Sequence, residues 1–441
     1  MSPDPYSHRR VLHIAGPMIA SNVTVPLLGI VDTAVVGHLD SPHYLAAVAV
    51  GATIFSFLFL TFNFLRMGTT GVAAQSLGNQ NHDGVRSVLL QAGTIALVIA
   101  AVLIVLQVPL GALALSLINP ADDVAAAAGE YYAIRIWAAP FVLVNYALLG
   151  WFIGLQNGRA PLMMMLMVNV VNIALDLLFV IGFEMDVRGV ALASVIAEAC
   201  GLALGIVLVR RELRRFPSSA SLRSLWDTDR LRRLLAVNGN LLIRSFSLMF
   251  TFGLFTTLGA RLGSVVLAAN AVLLNFQTLM AFALDGFANA AEALIGRAIG
   301  ADDHDGLRRA WRNTLIWSLG IALVFVLIYV LLGGTLIGIM TDLDAVATAA
   351  HTYLPWLIIL PLASVWCFFY DGVFVGATLA GAMRNSMLIA TFAVFVPLAL
   401  ALDGVLGNHG LWLALVIFML ARGLGQHVIW RRMYPPVPRP T

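Results

Sequence analysis

The sequence predicts an all-α protein that crosses a membrane about twelve times, and three observations predict it. Of 441 residues, 60% are hydrophobic and only 11% charged, whereas about a quarter of a soluble domain is charged. Apolar runs of bilayer length recur along the whole chain, separated by Gly, Pro and charged residues. The two halves of the chain also repeat one another in a single ungapped register. A soluble enzyme and a nucleic-acid binder are excluded by the first two observations, and the third points to a transporter built from two parallel six-helix repeats around a central cleft.

The apolar runs lie at 10–37, 44–77, 86–117, 125–154, 161–182, 188–210, 233–259, 266–297, 309–338, 346–375, 386–403 and 409–431. No cleavable signal peptide is expected, because no short apolar core ending in a small-residue cleavage site precedes the first run. Every basic residue other than histidine is arginine, and the arginines fall on alternate connections. One side collects Arg9, Arg10, Arg86, Arg159, the run from Arg210 to Arg233, Arg297, Arg308, Arg309, Arg312, Arg384, Arg431, Arg432 and Arg439. The other has Arg188 and Arg261 among Asp40, Asp122, Asp123, Glu184, Asp186, Asp342, Asp344 and Asp403. The positive-inside rule then places both termini in the cytoplasm, as an even number of spans requires. Cys200 and Cys367 sit in apolar runs of different halves and read as small core residues, with neither a disulfide framework nor metal spacing.

The repeat is clearest in the connections. G-N-Q-N-H-D-G-V-R at 78–86 returns as G-A-D-D-H-D-G-L-R at 300–308, with Gly84 and Gly306 lying 222 residues apart. In that register Gly37 meets Gly259, Tyr131 meets Tyr353, and Gly150, Phe152 and Gly154 meet Gly372, Phe374 and Gly376. Six spans is an even number, so the repeats run parallel, related by an axis along the membrane normal. The expected organisation is an N-lobe at 1–215, a basic cytoplasmic linker at 216–232 that fixes topology, and a C-lobe at 233–441.

Ionisable groups at bilayer depth are costly and mark function. The first span, Gly16 to Leu39, carries Pro17, Pro26 and Asp32. The fifth places Asn169, Asn172 and Asp176 on one helical face. Asp32 lies about five residues, ~8 Å, below the outer end of its span and Asp176 about six residues, ~9 Å, below its own. Ser194, about six residues down the sixth span, shares that depth. Two carboxylates, an amide and a hydroxyl in one layer form an all-oxygen set suited to a proton or to a small cation such as Na⁺. In the repeat register Leu254 and Leu398 replace Asp32 and Asp176, so a symmetric scaffold does not need these acids. A purely structural hydrogen-bond network is the alternative.

The second half has a different polar set: Arg244, Asp285, Glu292 and Asp371, which suits either a substrate site or an ion-pair network. Arg66, Arg135 and Glu198 have no predicted partner. The sequence holds no phosphate-binding loop, no H-E-x-x-H and no histidines at metal-ligand spacing, so no cofactor and no firm metal site are expected.

Several segments resemble the multidrug and toxic compound extrusion (MATE) transporters, its DinF-like branch in particular: P-L-L-G-I-V-D-T-A-V-V-G-H-L (26–39), F-L-R-M-G-T-T-G-V-A-A-Q (64–75), A-L-D-G-F-A-N-A-A-E-A-L-I-G (283–296), Y-D-G-V-F-V-G-A-T (370–378) and M-R-N-S-M (383–387). The resemblance spans nearly the whole chain. It implies a secondary antiporter that exports amphipathic, often cationic compounds in exchange for H⁺ or Na⁺. It also maps the branch's central ion-binding set onto Asp32, Asn172, Asp176 and Ser194, and its helix-bending proline onto Pro17. An acid in the seventh span, associated with the sodium-coupled NorM-type branch, is absent here. Pro17 lies about fifteen residues, ~22 Å, from Asp32, so a bend there is a long-range consequence of protonation rather than a contact.

The reading is therefore efflux of amphipathic, cationic small molecules by antiport with H⁺, or with Na⁺, across a bacterial inner membrane. Protonation of Asp32 or Asp176 is the coupling step, and the chain acts as a monomer. Two rivals differ in kind. A flippase for a lipid-linked or amphipathic metabolite would line its cavity with many cations, and only Arg66, Arg135, Arg244 and Arg422 fall inside spans. A membrane-embedded enzyme or receptor would not need the internal repeat.

Overall fold

A computed structural model describes residues 4–36, 42–218 and 226–434, with the backbone alone for 25–36 and 42. Those residues contain no strand. The first half holds α1 (His8–Val36), α2 (Pro42–Thr61), α3 (Phe64–Gly78), α4 (His82–Val105), α5 (Gln107–Ile118), α6 (Asp122–Arg135), α7 (Ala139–Gly154), α8 (Arg159–Asp176) and α9 (Asp186–Glu212). The second holds α10 (Thr228–Arg261), α11 (Ser264–Gly300), α12 (His304–Met340), α13 (Asp344–Gly376), α14 (Ala380–Leu388), α15 (Val396–Leu406) and α16 (Asn408–Met433). Counting α2–α3, α6–α7 and α14–α15 as single crossings, eleven are long and apolar enough to span a bilayer among the described residues. The 29-residue α1 precedes them.

The departures from the predicted spans have local causes. The run at 86–117 is not one helix: α4 stops at Val105 and α5 begins at Gln107. Pro109 then falls in the first turn of α5, where a missing N–H breaks no hydrogen bond. The run at 44–77 turns at Phe62–Asn63, between α2 and α3. Both α4 and α12 begin several residues earlier than their apolar runs, because a polar cap starts each. The side chain of Asn81 accepts from Gly84 N at 2.7 Å, and that of Asp303 accepts from Gly306 N at 2.7 Å. Such a cap contributes about 1 kcal/mol.

The repeat is built into the packing. Gly150 of α7 passes so close to α3 that an added Cβ would lie 2.2 Å from the Arg66 carbonyl oxygen. Its counterpart Gly372 of α13 would place a Cβ 2.4 Å from the Ala288 carbonyl oxygen of α11. Arg66 and Ala288 are themselves 222 residues apart, so the same backbone-to-backbone approach is made twice. Left-handed backbone recurs in the same register, at Gln80 and Asp302 (φ 54° and 52°) and at Gln156 and Thr378 (φ 61° and 56°).

By contact the chain divides into two units. One is Gly16–Leu235; the other combines Met1–Ala15 with Ala236–Thr441. This differs from a split at 215 and 233 in one physical respect: each unit holds the chain that leads into the other half. Tyr6, 2% exposed, belongs to the second unit, where Asn313 of α12 donates to its carbonyl at 2.8 Å. In the first unit Phe216 is buried, and Arg86 Nε donates to its carbonyl at 2.8 Å. The linker's first residue, Phe216, is thus packed against the first unit.

Candidate functional site

In the first unit the site is built on α8. Asn172 and Asp176 are one turn apart, both buried, with Asp176 wholly shielded; the Asn172 amide donates to Asp176 Oδ2. Immediately after Asp176 the helix widens into a π-helical stretch, Leu177–Gly182, a form of local distortion frequent at functional positions. α9 packs along α8 and carries Ser194, also buried. Asn169, two turns before Asp176, donates to the Thr24 carbonyl of α1 at 3.4 Å. That contact ties α8 to α1. The side chains of Asp32 and Pro26 lie outside the described residues; Pro17 lies within the helical span of α1 and is half-buried.

The three groups that lacked a predicted partner find surroundings in the same unit. Glu198 of α9 accepts from Asn145 Nδ2 of α7 at 3.0 Å. The Arg135 guanidinium lies 5.9 and 5.8 Å from the ring centres of Phe55 and Phe59, within cation–π range. Arg66 Nε donates to Asn63 at the turn between α2 and α3. Ser194 and Glu198 are four residues apart, so they share a face of α9. Sequence reasoning missed the Glu198 and Arg135 partners because they sit on other helices at no fixed spacing, whereas Asn63 lies three residues from Arg66 and was available in the sequence.

In the second unit, Asp371 of α13 is the centre of a buried network. Arg244 of α10 and Arg422 of α16 both donate to its Oδ2, the latter at 2.8 Å, and Gln426 Nε2 donates to its Oδ1 at 2.8 Å. Arg244, Asp371, Arg422 and Gln426 are all under a tenth exposed. Of the four residues expected here, the structure joins Arg244 to Asp371. Glu292 is buried and Asp285 half-buried on α11, and Asp285 lies within electrostatic reach of Arg422. The omission from the sequence-based set was Arg422 with Gln426, whose i, i+4 spacing in the last span was the available signal. Among the described residues no group of His, Cys, Asp and Glu is placed to hold a metal ion.

Comparisons with known proteins agree with this architecture. The MatE family model matches twice, at residues 17–178 and 241–403, once in each half. The chain is 46% identical over 427 residues to DNA damage-inducible protein F of Escherichia coli (strain K12), covering 97% of this chain and 92% of that protein. It is 27% identical to a probable multidrug resistance protein NorM of Rhizobium meliloti (strain 1021), covering 77% and 73%. Among solved structures, a MOP superfamily transporter from Pyrococcus furiosus superposes with a TM-score of 0.88 at 17% identity, covering 99% of this chain and 97% of the other.

Proposed function

We propose, from the premise that this chain belongs to the MatE family, that it exports amphipathic cations in exchange for protons, with Asp176 and Asp32 as the groups that exchange them. The family is one of multi-pass membrane transporters with multidrug-resistance members. The choice of ion, the protonated residues, the charge of the substrate and the monomeric state are part of the proposal. So are the two lobes as moving bodies and the bacterial inner membrane with both termini cytoplasmic.

The observation that carries the reading is the carboxylate of Asp176, fully buried within the fifth span and held by Asn172. The Asn169–Thr24 bond sets a register for its neighbour. From that bond Asp176 is about seven residues, ~10 Å, along α8, and Asp32 about eight residues, ~12 Å, along α1. Spans one and five run in the same direction in the proposed topology, so the two acids come to one level. A carboxyl that gains or loses a proton changes what the Asn172 amide can donate to, and such a change is what a proton carrier requires. The second unit offers no comparable acceptor in Asp371, whose two oxygens are already engaged by two guanidinium groups and an amide. Release of substrate on protonation then couples the ion gradient to alternating access. Pro17 is the proposed bending point of α1.

The test is efflux of a fluorescent organic cation from proteoliposomes, driven first by a pH gradient alone and then by a sodium gradient alone. The pH gradient should suffice, and Asp176→Asn and Asp32→Asn should each abolish the proton-driven component while leaving the protein in the membrane. Efflux that responds only to sodium would assign the same oxygens to Na⁺. Wild-type proton-driven efflux by Asp176→Asn would remove Asp176 from the mechanism.

A further inference from the structure

The contact division cuts each half's first helix near its start. α1 begins in the second unit and continues into the first, changing between Ala15 and Gly16; α10 begins in the first unit and continues into the second, changing between Leu235 and Ala236. In the repeat register Gly16 corresponds to Asn238 and Pro17 to Gly239, so the two crossings fall within a turn of one another in the repeat.

The docking of the two arms is also matched. In the second unit the Asn313 side chain donates to the Tyr6 carbonyl at 2.8 Å; in the first, the Gln91 side chain donates to the Asp227 carbonyl at 2.9 Å. Gln91 and Asn313 are 222 residues apart, both buried, on α4 and α12. Each helix thus offers an amide, at the same point of the repeat, to the backbone that leads into the other half's first helix. Further contacts hold each arm. Arg309 faces both Asp4, at 3.7 Å, and the Tyr6 ring, at 5.9 Å, and Trp317 Nε1 donates to His8 at 3.1 Å. On the other arm Arg233 donates to Gln75 at 2.7 Å. Gln91 and Asn313 are themselves buried, so losing the carbonyl each one donates to would leave a buried amide unpaired, which is expensive; these arms are therefore fixed to their hosts.

The crossing points are less constrained, on one face of each helix. Gly16 and Gly239 have no neighbouring atom within 4 Å of where a Cβ would stand. Pro17 lacks the N–H that would bond one turn back. In α10 the Asn238 side chain is 97% shielded, yet neither its nitrogen nor its oxygen has a hydrogen-bond partner. A buried amide without partners is a cost that another arrangement of the same helix can relieve. Each crossing packs on one face, through Met18 in α1 and through Val237 and Leu241 in α10, while its other face meets no neighbour at the glycine; a turn of that kind beyond a fixed arm is where a helix can flex.

We propose that α1 and α10 are reciprocal straps: each is clamped at its start to one unit, and their flexion at Gly16–Pro17 and Asn238–Gly239 carries the movement of the two units. This rests on the alternating-access reading above and adds to it a second flexion point, in a helix without proline. The arms travel with their hosts throughout the cycle.

The experiment uses the full chain with Cys200→Ala and Cys367→Ala, and dyes on Leu117→Cys and Ile339→Cys, exposed positions at equivalent points of the two units. Single-molecule energy transfer in liposomes then reports the rate at which the units exchange positions, whatever ion drives transport. Gly239→Ala and Gly16→Ala should each slow that exchange about two- to five-fold, since alanine favours the straight helix over glycine by a modest factor. Combined, they should slow it further. Gly253→Ala, in the same α10 and equally free of neighbours, should leave it unchanged. Hydrogen exchange of 6–14 and 228–235 should stay equally protected whichever state is favoured. A Gly239→Ala rate equal to wild type, a Gly253→Ala rate slowed as much, a single unchanging distance, or arms that lose protection in one state would each overturn the proposal. Loss of proton-driven efflux with the exchange rates intact would instead count against the coupling mechanism alone.

Discussion

Removing the carboxylate of Asp371 should destabilise the second unit more than removing either arginine that binds it. Asp371→Leu leaves the Arg244 and Arg422 guanidinium groups, 8% and 3% exposed, without their shared counter-charge. Stripping one partner from a buried ion pair costs about 3–5 kcal/mol, and here two cations lose the carboxylate they share. Arg244→Met leaves Asp371 still bound by Arg422 and Gln426, so the loss approaches that of one charged hydrogen bond, about 1.5–3 kcal/mol. Arg422→Met should fall between, because Asp285 also lies within reach of that charge. Thermal unfolding of the purified protein in one detergent, followed by tryptophan fluorescence, gives the order. An Asp371→Leu protein at least as stable as Arg244→Met would show that the network is not held by charge, and the argument from desolvation would fail.

Two further predictions concern packing and the polar layer of the first unit. Gly150→Ala and Gly372→Ala each drive a Cβ to within 2.4 Å of a carbonyl oxygen on the neighbouring helix; both should lower the unfolding temperature, as overpacking costs about 1–3 kcal/mol, whereas Gly253→Ala should not. Asn145→Leu should destabilise more than Glu198→Gln, since a glutamine can still accept from Asn145 while leucine leaves the Glu198 carboxylate without its donor; equal melting temperatures would refute that ordering.

The long apolar runs announced the crossings because a bilayer leaves helices few alternatives, and the repeated 78–86 and 300–308 segments marked where the halves correspond. Asp32, Asp176, Arg244 and Asp371 stood out for the same reason, as charges in apolar runs. What sequence could not supply was pairing across helices. Glu198 with Asn145, and Asp371 with Arg422 and Gln426, depend on which faces meet, and no spacing along the chain encodes that. The break between α4 and α5 was available in Pro109 but masked by uninterrupted hydrophobicity. The division at Ala15 was hidden for a different reason: a continuous helix gives no compositional sign that its two ends belong to different units. Tyr6 reads as an ordinary residue of a polar terminus, and only its burial against α12 shows otherwise.

The matched amides Gln91 and Asn313 make each half incomplete by itself. The arm ahead of α1 is held by α12 and the arm ahead of α10 by α4, so separating the two halves would leave each with an unfilled buried amide and an undocked arm. The two arms are not identical: Pro17 stands at one crossing and Asn238, whose side chain has no hydrogen-bond partner, at the other.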